Sequence, residues 1–262
     1  MMRTLAQNLF DQTFITDSDD KVMPNLIHQK RFQDDIEVAI ANCSGGWSIS
    51  QDLARFLAHA VVTLNSKNIL EFGAGSSSLV LATSLSVSGG GKLTSIEQNP
   101  VWCTETWKLV NDKENVDSFM IVAQPKLSLG ISGVYFCFKH CLEDIASRGL
   151  YDLVLIDAPQ YFFGRDGAVP IIYNYLAPNA LIVMDDAERY NDRWTLFRWL
   201  HSYPGLKLVY YNPTFTKKGL AILRFQSRKS PRFSLVHWMT SLQDTGSLLL
   251  SPGANRQRKG EF

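Results

Sequence analysis

Between residues 47 and 225 the chain alternates short, almost unbroken apolar runs with longer stretches in which apolar residues recur every three or four positions. The first pattern predicts strands and the second predicts helices with one buried face. ISQDLARFLAHAVVTL predicts a helix covering the first strand, Asn68–Phe72, whose sequence is NILEF. KLTSIE, residues 92–97, predicts a second strand, and Asn99-Pro100 then places a proline at the start of a helix running to about Val110. Residues 119–122 predict the third parallel strand and residues 133–138 a further extended run. YDLVLID (151–157) and ALIVMD (180–185) are nearly continuously apolar, as expected for strands buried on both faces of a parallel sheet. Residues 207–211 and Leu220–Phe225, joined by NPTFTKKG, predict a terminal antiparallel pair.

Strands alternating with helices at this spacing predict an α/β fold: a Rossmann-like, doubly wound, mostly parallel seven-stranded sheet that closes with the antiparallel pair. Such sheets bind ligands beyond the carboxyl ends of their strands, at the point where strand order reverses. Chemistry-bearing residues should therefore sit just after strands. No linker interrupts residues 47–225, which read as one domain. Residues 1–46 read as an N-terminal extension of short helices and loops and as a candidate lid. Residues 226–262 read as a basic tail with a short helix around 235–242 and an end expected to be disordered.

Composition narrows the partners. With 262 residues, 45% hydrophobic and 19% charged, the chain matches an ordinary soluble globular protein with enough length for a sizeable core. The net charge of +1 hides an asymmetry: residues 217–262 carry nine basic and two acidic residues, +7, leaving −6 on the rest. An acidic body disfavours a nucleic-acid partner. Four cysteines are too few for a disulfide scaffold, and MMRTLAQNLFDQTF lacks the apolar core of a secretory signal. A cytoplasmic protein with reduced thiols is expected. No membrane span is expected either, since no run reaches 18 apolar residues.

The segment ILEFGAGSSSLVLA, residues 69–82, joins a strand to a helix through glycines at 73 and 75. Glycine there admits close approach of a ligand to backbone, although a tight turn without ligand has the same requirement. Ser78 replaces the third glycine of the dinucleotide fingerprint, which counts against a nicotinamide oxidoreductase. The second strand ends at Glu97, 22 residues beyond Gly75, where a carboxylate can accept hydrogen bonds from both hydroxyls of a ribose. A nucleoside-containing ligand follows.

E-x-G-x-G-x-S after the first strand, SIEQNPVW at the second, YDLVLIDAP at the fourth and LAPNALIVMDDAER at the fifth occur in the order seen in class I S-adenosylmethionine-dependent methyltransferases. The chain resembles that family over residues 47–225. The resemblance implies S-adenosylmethionine (SAM) as cofactor. It places Gly73, Ala74, Gly75, Ser76 and Ser77 around its methionine part and Glu97, followed by Gln98, at the ribose. It places Cys141, Leu142 and Glu143 beside the adenine. Glu71 would orient the loop or hold the cofactor's ammonium through water, Asp157 would touch the cofactor, and Trp102 would pack by the adenine or simply sit half-buried on its helix.

Within the family the pattern is most similar to the catechol O-methyltransferase-like group and to relatives whose fifth strand ends in Asp-Asp-x-x-Arg, here Asp185, Asp186 and Arg189. The likeness implies Mg2+ or another divalent cation on Asp157, Asp185 and Asp186. A hard ion takes oxygen ligands and lowers the pKa of a bound hydroxyl. The alternative is structural: Asp186 caps the next helix and Arg189 pairs with the acidic cluster without metal. Gln160 stands where that group carries a catalytic lysine, so a general base is missing or is supplied from elsewhere, with Asp157 and His28 the candidates. The loop QYFFGRDGAVP offers Tyr161, Phe162, Arg165 and Asp166 to an acceptor, with Arg189 nearby. The fourth strand ends in DAP rather than the Asn/Asp-Pro-Pro-Tyr/Phe motif of amino-group methylation, which favours a small-molecule hydroxyl acceptor. Aminopropyl transfer of the spermidine synthase type and non-catalytic SAM binding are the alternatives, and a homodimer is compatible with the pattern.

Overall fold

A computed structural model describes residues 34–43, 48–159, 163–215 and 218–250. The expectations for His28, Gln160, Tyr161 and Phe162, for residues 1–33 and for the end of the tail lie outside the described residues. The strands are β1 (Asn68–Phe72), β2 (Gly91–Glu97), β3 (Val116–Val122), β4 (Lys126–Gly130), β5 (Gly133–Cys137), β6 (Tyr151–Ile156), β7 (Leu176–Asp185), β8 (Leu206–Asn212) and β9 (Leu220–Phe225). Seven of them form one sheet in the order β3-β2-β1-β6-β7-β9-β8. The pairs β3/β2, β2/β1, β1/β6 and β6/β7 are parallel, whereas β9 runs antiparallel to both β7 and β8. The expected α/β class is met, with the detail that β9 inserts between β7 and β8. Strand order reverses between β1 and β6, so the ends of β1, β2, β6 and β7 frame the ligand crevice.

The period-two alternation of the apolar strands divides the core in two. Ile69, Leu153, Leu155, Leu181 and Val183 point to one face, where they meet α1 (Asp34–Ala41), α2 (Gln51–Leu64) and α3 (Ser76–Val87). Leu70, Phe72, Val154, Ile156, Ile182 and Met184 point to the other face. There they meet α5 (Leu142–Ser147), α6 (Ala168–Ile172) and α7 (Tyr190–Ser202), while α4 (Thr104–Asn111) sends Val110 to the first face. The Ser50 hydroxyl caps α2 by accepting from the Leu53 N–H at 3.1 Å, and Asn65 in the left-handed region ends it. Arg55 clamps Glu37 through two bonds of 2.6 and 3.0 Å, fixing α1 on α2.

Two elements differ from expectation. The run at 133–138 is β5, paired antiparallel with β4 in a hairpin separate from the main sheet. β4 is short, and its alternating leucines, Leu127 and Leu129, face outward rather than into a core. The helix expected over 235–242 extends further, as α8 (Leu235–Leu250). It docks on β5: the Val134 N–H donates to Ser241 Oγ at 2.8 Å, and the Thr245 hydroxyl donates to the Val134 carbonyl at 2.7 Å. Gly133 has φ +140, and a Cβ there would collide with the Ser241 hydroxyl, so the contact requires glycine. All four cysteines are free and buried. Among the described residues no helix is long and apolar enough to cross a membrane.

Candidate active site

The turn from β1 into α3 is organised by a carboxylate. Glu71, fully buried near the end of β1, accepts hydrogen bonds on Oε2 from the Ser78 hydroxyl at 2.5 Å and the Ser95 hydroxyl at 2.7 Å. Ser78 Oγ accepts in turn from the Gly75 N–H at 3.0 Å. The serine that replaces the third glycine of the dinucleotide fingerprint thus ties the loop to β1. Glu71 Oε1 and Ser76 Oγ are buried without a well-aligned hydrogen bond. Ser77 also acts on the Glu71 carboxyl and Ser76 lies against the Cys43 thiol, so both atoms are under-satisfied, which folding alone does not favour.

Burial raises the Glu71 carboxyl to about 7, against the hydrogen bonds from Ser77, Ser78 and Ser95 that favour the anion. The folded protein therefore favours the protonated form more than the unfolded chain does. This contribution to stability is full below pH 4.5 and is lost as pH rises through 7. Glu71→Gln is expected to remove a downward slope in unfolding free energy of up to roughly 3 kcal/mol over that window. Urea unfolding at a series of pH values measures it, and parallel profiles for the two proteins would refute the assignment.

Glu97 joins the two strand-end loops. Its Oε2 accepts from the Ala74 N–H at 2.8 Å and its Oε1 from the Asn99 N–H at 2.7 Å. Burial raises its pKa while these backbone donors oppose the rise. The Gln98 backbone N–H also favours the anion, and lone pairs still remain on the carboxylate for a ligand. Gly73, in the same loop, has φ +97, and a Cβ there would approach that of Ala158 to 3.2 Å, so this glycine is required by the backbone. Gln98 is buried beyond Glu97, with its carbonyl held by Gln124 Nε2 at 2.8 Å. Trp102 lies half-exposed on a short 3-10 turn, Pro100–Cys103. Cys141 is buried and Glu143 exposed where the chain enters α5.

Beyond β6 and β7 the three predicted aspartates converge. Parallel pairing of Ile156 with Met184 sets Asp157 beside Asp185, and Asp186 follows with φ +59. One carboxylate oxygen from each lies within 4.8 Å of the others. Burial raises Asp157 and Asp185, and the neighbouring aspartates push them further while Arg165 opposes the rise. Arg165, expected to orient an acceptor, instead turns into this cluster and is only 2% exposed. Its Nη2 lies 2.9 Å from Asp157 Oδ1, 3.0 Å from the Asp157 carbonyl and 2.8 Å from Asp186 Oδ2, and its Nη1 donates to the Asp185 carbonyl. Arg189 reaches the same Asp186 oxygen at 2.6 Å. Asp186 is therefore held by two guanidinium groups. The oxygen-only donor set suits a hard divalent ion, but a guanidinium already stands on two of the three carboxylates. As folded, the cluster does not fit an ion.

A second ion-pair layer lies behind the cluster and was not anticipated. Arg198 on α7 is fully buried; its Nε donates to Asp166 Oδ1 at 2.9 Å, its Nη2 pairs with Asp166 Oδ2, and its Nη1 donates to Asp244 Oδ2 at 2.7 Å. The Trp199 indole donates to the Asp166 carbonyl at 2.9 Å. An arginine among the buried positions Thr195, Leu196, Trp199 and Ser202 was the available signal. Asp192, at the start of α7, is also buried and is raised to about 6, with Arg165 and Arg189 drawing it down.

No family model matches the chain, and no curated protein matches it. Solved structures do. A methyltransferase from Geobacter sulfurreducens is 16% identical, with 80% of this chain and 97% of that one covered at a TM-score of 0.53. An O-methyltransferase from Bacillus cereus in complex with SAH is 17% identical, with coverage of 86% and 100% and a TM-score of 0.51. The O-methyltransferase TomG from Streptomyces achromogenes, involved in tomaymycin synthesis and in complex with SAM, is 14% identical, with coverage of 85% and 96% and a TM-score of 0.50. The chain thus has the fold of these methyltransferases over most of its length.

Proposed function

We propose that this chain is a SAM-dependent methyltransferase acting on a hydroxyl oxygen of a small-molecule acceptor. The observation that carries the reading is the loop after β1, where Glu71 Oε1 and Ser76 Oγ are buried without a well-aligned hydrogen bond beside a glycine that the fold does not need. Gly75 has extended backbone (φ 175), and a Cβ there would meet no atom within 4 Å. The turn tolerates a side chain at 75, so glycine suits a ligand that approaches the backbone.

SAM, when bound, supplies an electrophilic methyl group. Glu71, Ser76 and the glycines would hold its amino-acid end, and the remaining lone pairs of Glu97 its ribose. The acceptor would lie over the ends of β6 and β7. Of the three aspartates there, only Asp157 is appreciably exposed, its side chain at 26%, so it is the group that reaches an acceptor and takes the hydroxyl proton. Arg165 holds that carboxylate in place. Aminopropyl transfer is not favoured, because Arg165 and Arg189 already balance much of the acidic charge that a polyamine would need.

Calorimetry with SAM and S-adenosylhomocysteine (SAH) tests the cofactor, and SAH formation with a panel of phenols and other hydroxylated small molecules tests the reaction. Binding of NAD with no binding of SAM would overturn the reading. Gly75→Ala is expected to leave the urea midpoint unchanged and to weaken SAH binding by about tenfold, near 1.4 kcal/mol. An unchanged affinity would remove the loop from the cofactor site.

A further inference from the structure

We propose that Arg165 is the resident cation of the Asp157–Asp185–Asp186 cluster, excluding divalent metal from it, and that removal of its side chain converts the cluster into a divalent-cation site. Arg165 Nη2 is within 3.0 Å of Asp157 Oδ1, the Asp157 carbonyl and Asp186 Oδ2, while Nη1 donates to the Asp185 carbonyl. A divalent ion bound by the same carboxylates would need those oxygens at about 2.0–2.6 Å, in direct contact with a guanidinium of like charge. One cation must leave.

Arg165 is poorly placed to leave. It is buried, and two of its hydrogen bonds go to backbone carbonyls at the ends of β6 and β7, which cannot rotate away as side chains can. Its loop is fixed on the far side, where Asp166 is clamped by both Nε and Nη2 of Arg198 and its carbonyl by Trp199. The Ala168 N–H closes the turn on the Arg165 carbonyl at 3.1 Å. Swinging the guanidinium into solvent would break its bonds to both carbonyls and to the Asp157 and Asp186 carboxylates. The cluster is partly neutralised by a charge covalently attached to the chain and always present at working pH, which a dissociable ion is not.

Exclusion of metal rests on the geometry alone. Its corollary, that turnover needs no divalent ion, rests on the methyl-transfer reading. The test uses the full-length protein and Mn2+ as the probe, read by loss of the free-ion electron paramagnetic resonance signal. Wild type is expected to bind Mn2+ no more tightly than about 1 mM. Arg165→Met is expected to bind it at least tenfold more tightly, and addition of Asp185→Asn to abolish the gain. Arg165→Gln, which keeps hydrogen-bond donors without the charge, gives the same readout if Arg165→Met does not fold. Arg165→Lys, which keeps a cation, is expected to resemble wild type. Tighter Mn2+ binding by wild type that Asp185→Asn removes would overturn the proposal, as would a folded Arg165→Met or Arg165→Gln without gain. SAH calorimetry on the same wild-type sample, with and without chelator, separates the two claims. Loss of SAH binding altogether would sink the methyltransferase reading and leave the Mn2+ result standing.

Discussion

Arg198→Ala is expected to lower the unfolding free energy by about 3–5 kcal/mol, the range for breaking a buried ion pair from one side. Arg198 is fully buried and is the shared partner of Asp166 and Asp244, both of which are largely covered. Truncation leaves two carboxylates in a site where burial already pushes Asp244 upward and only the arginine draws it down. A cavity adds to the penalty. Arg198→Met refills most of the volume without the charge and separates the two effects: if it recovers less than half of the loss, the ion pairs dominate. Urea unfolding gives both values, and a loss below about 1 kcal/mol for Arg198→Ala would show that the carboxylates find other partners or water. The consequence reaches past stability. Asp244 belongs to α8 and Asp166 adjoins Arg165, so this arginine is where the C-terminal helix is fastened to the loop that enters the carboxylate cluster.

How far each part was legible depends on how local its cause is. β1 and its glycine loop were readable because everything that shapes them lies within a few residues: a run of apolar side chains, a left-handed glycine at 73, a serine at 78 whose hydroxyl returns to Glu71. β6 and β7 were readable because burial on both faces writes itself as continuous apolar sequence. That both strands end in aspartate was visible too, and the sheet register alone brings those ends together. What neutralises them was not visible. Arg165 reaches Asp186 across 21 residues, and Arg198 reaches Asp244 across 46, distances over which no periodicity carries information. An arginine in a loop reads as a solvent-facing ligand group until the fold shows that the loop turns inward. The underestimate of α8 has a similar origin. Thr240, Ser241 and Thr245 look like helix-ending polar residues, and two of them are polar because they satisfy the backbone of Val134.

Glu97→Ala is expected to weaken SAH binding by about two to three orders of magnitude, and to do so more than it destabilises the fold. The carboxylate has two tasks that share its oxygens. It accepts from the N–H groups of Ala74 and Asn99, which sets the loops after β1 and β2 at a fixed separation, and in the proposed complex its remaining lone pairs accept from the ribose. Hydrogen bonds to a charged acceptor contribute about 1.5–3 kcal/mol each, so loss of two near the low end of that range from a ligand amounts to roughly 3–4 kcal/mol, or two to three decades in affinity. The freed backbone donors are near enough to the surface for water to replace much of what they lose, because Ala74 is not fully buried. Glu97→Gln sharpens the attribution. It keeps the shape and one acceptor oxygen, but turns an amide N–H2 toward a backbone N–H, so one loop anchor and one ribose bond are lost together. Its affinity is expected to fall between those of wild type and Glu97→Ala. Calorimetry with SAH and urea unfolding of the same three proteins decide the matter: equal affinities would place the nucleoside elsewhere, whereas a stability loss as large as the affinity loss would make Glu97 a loop anchor and nothing more.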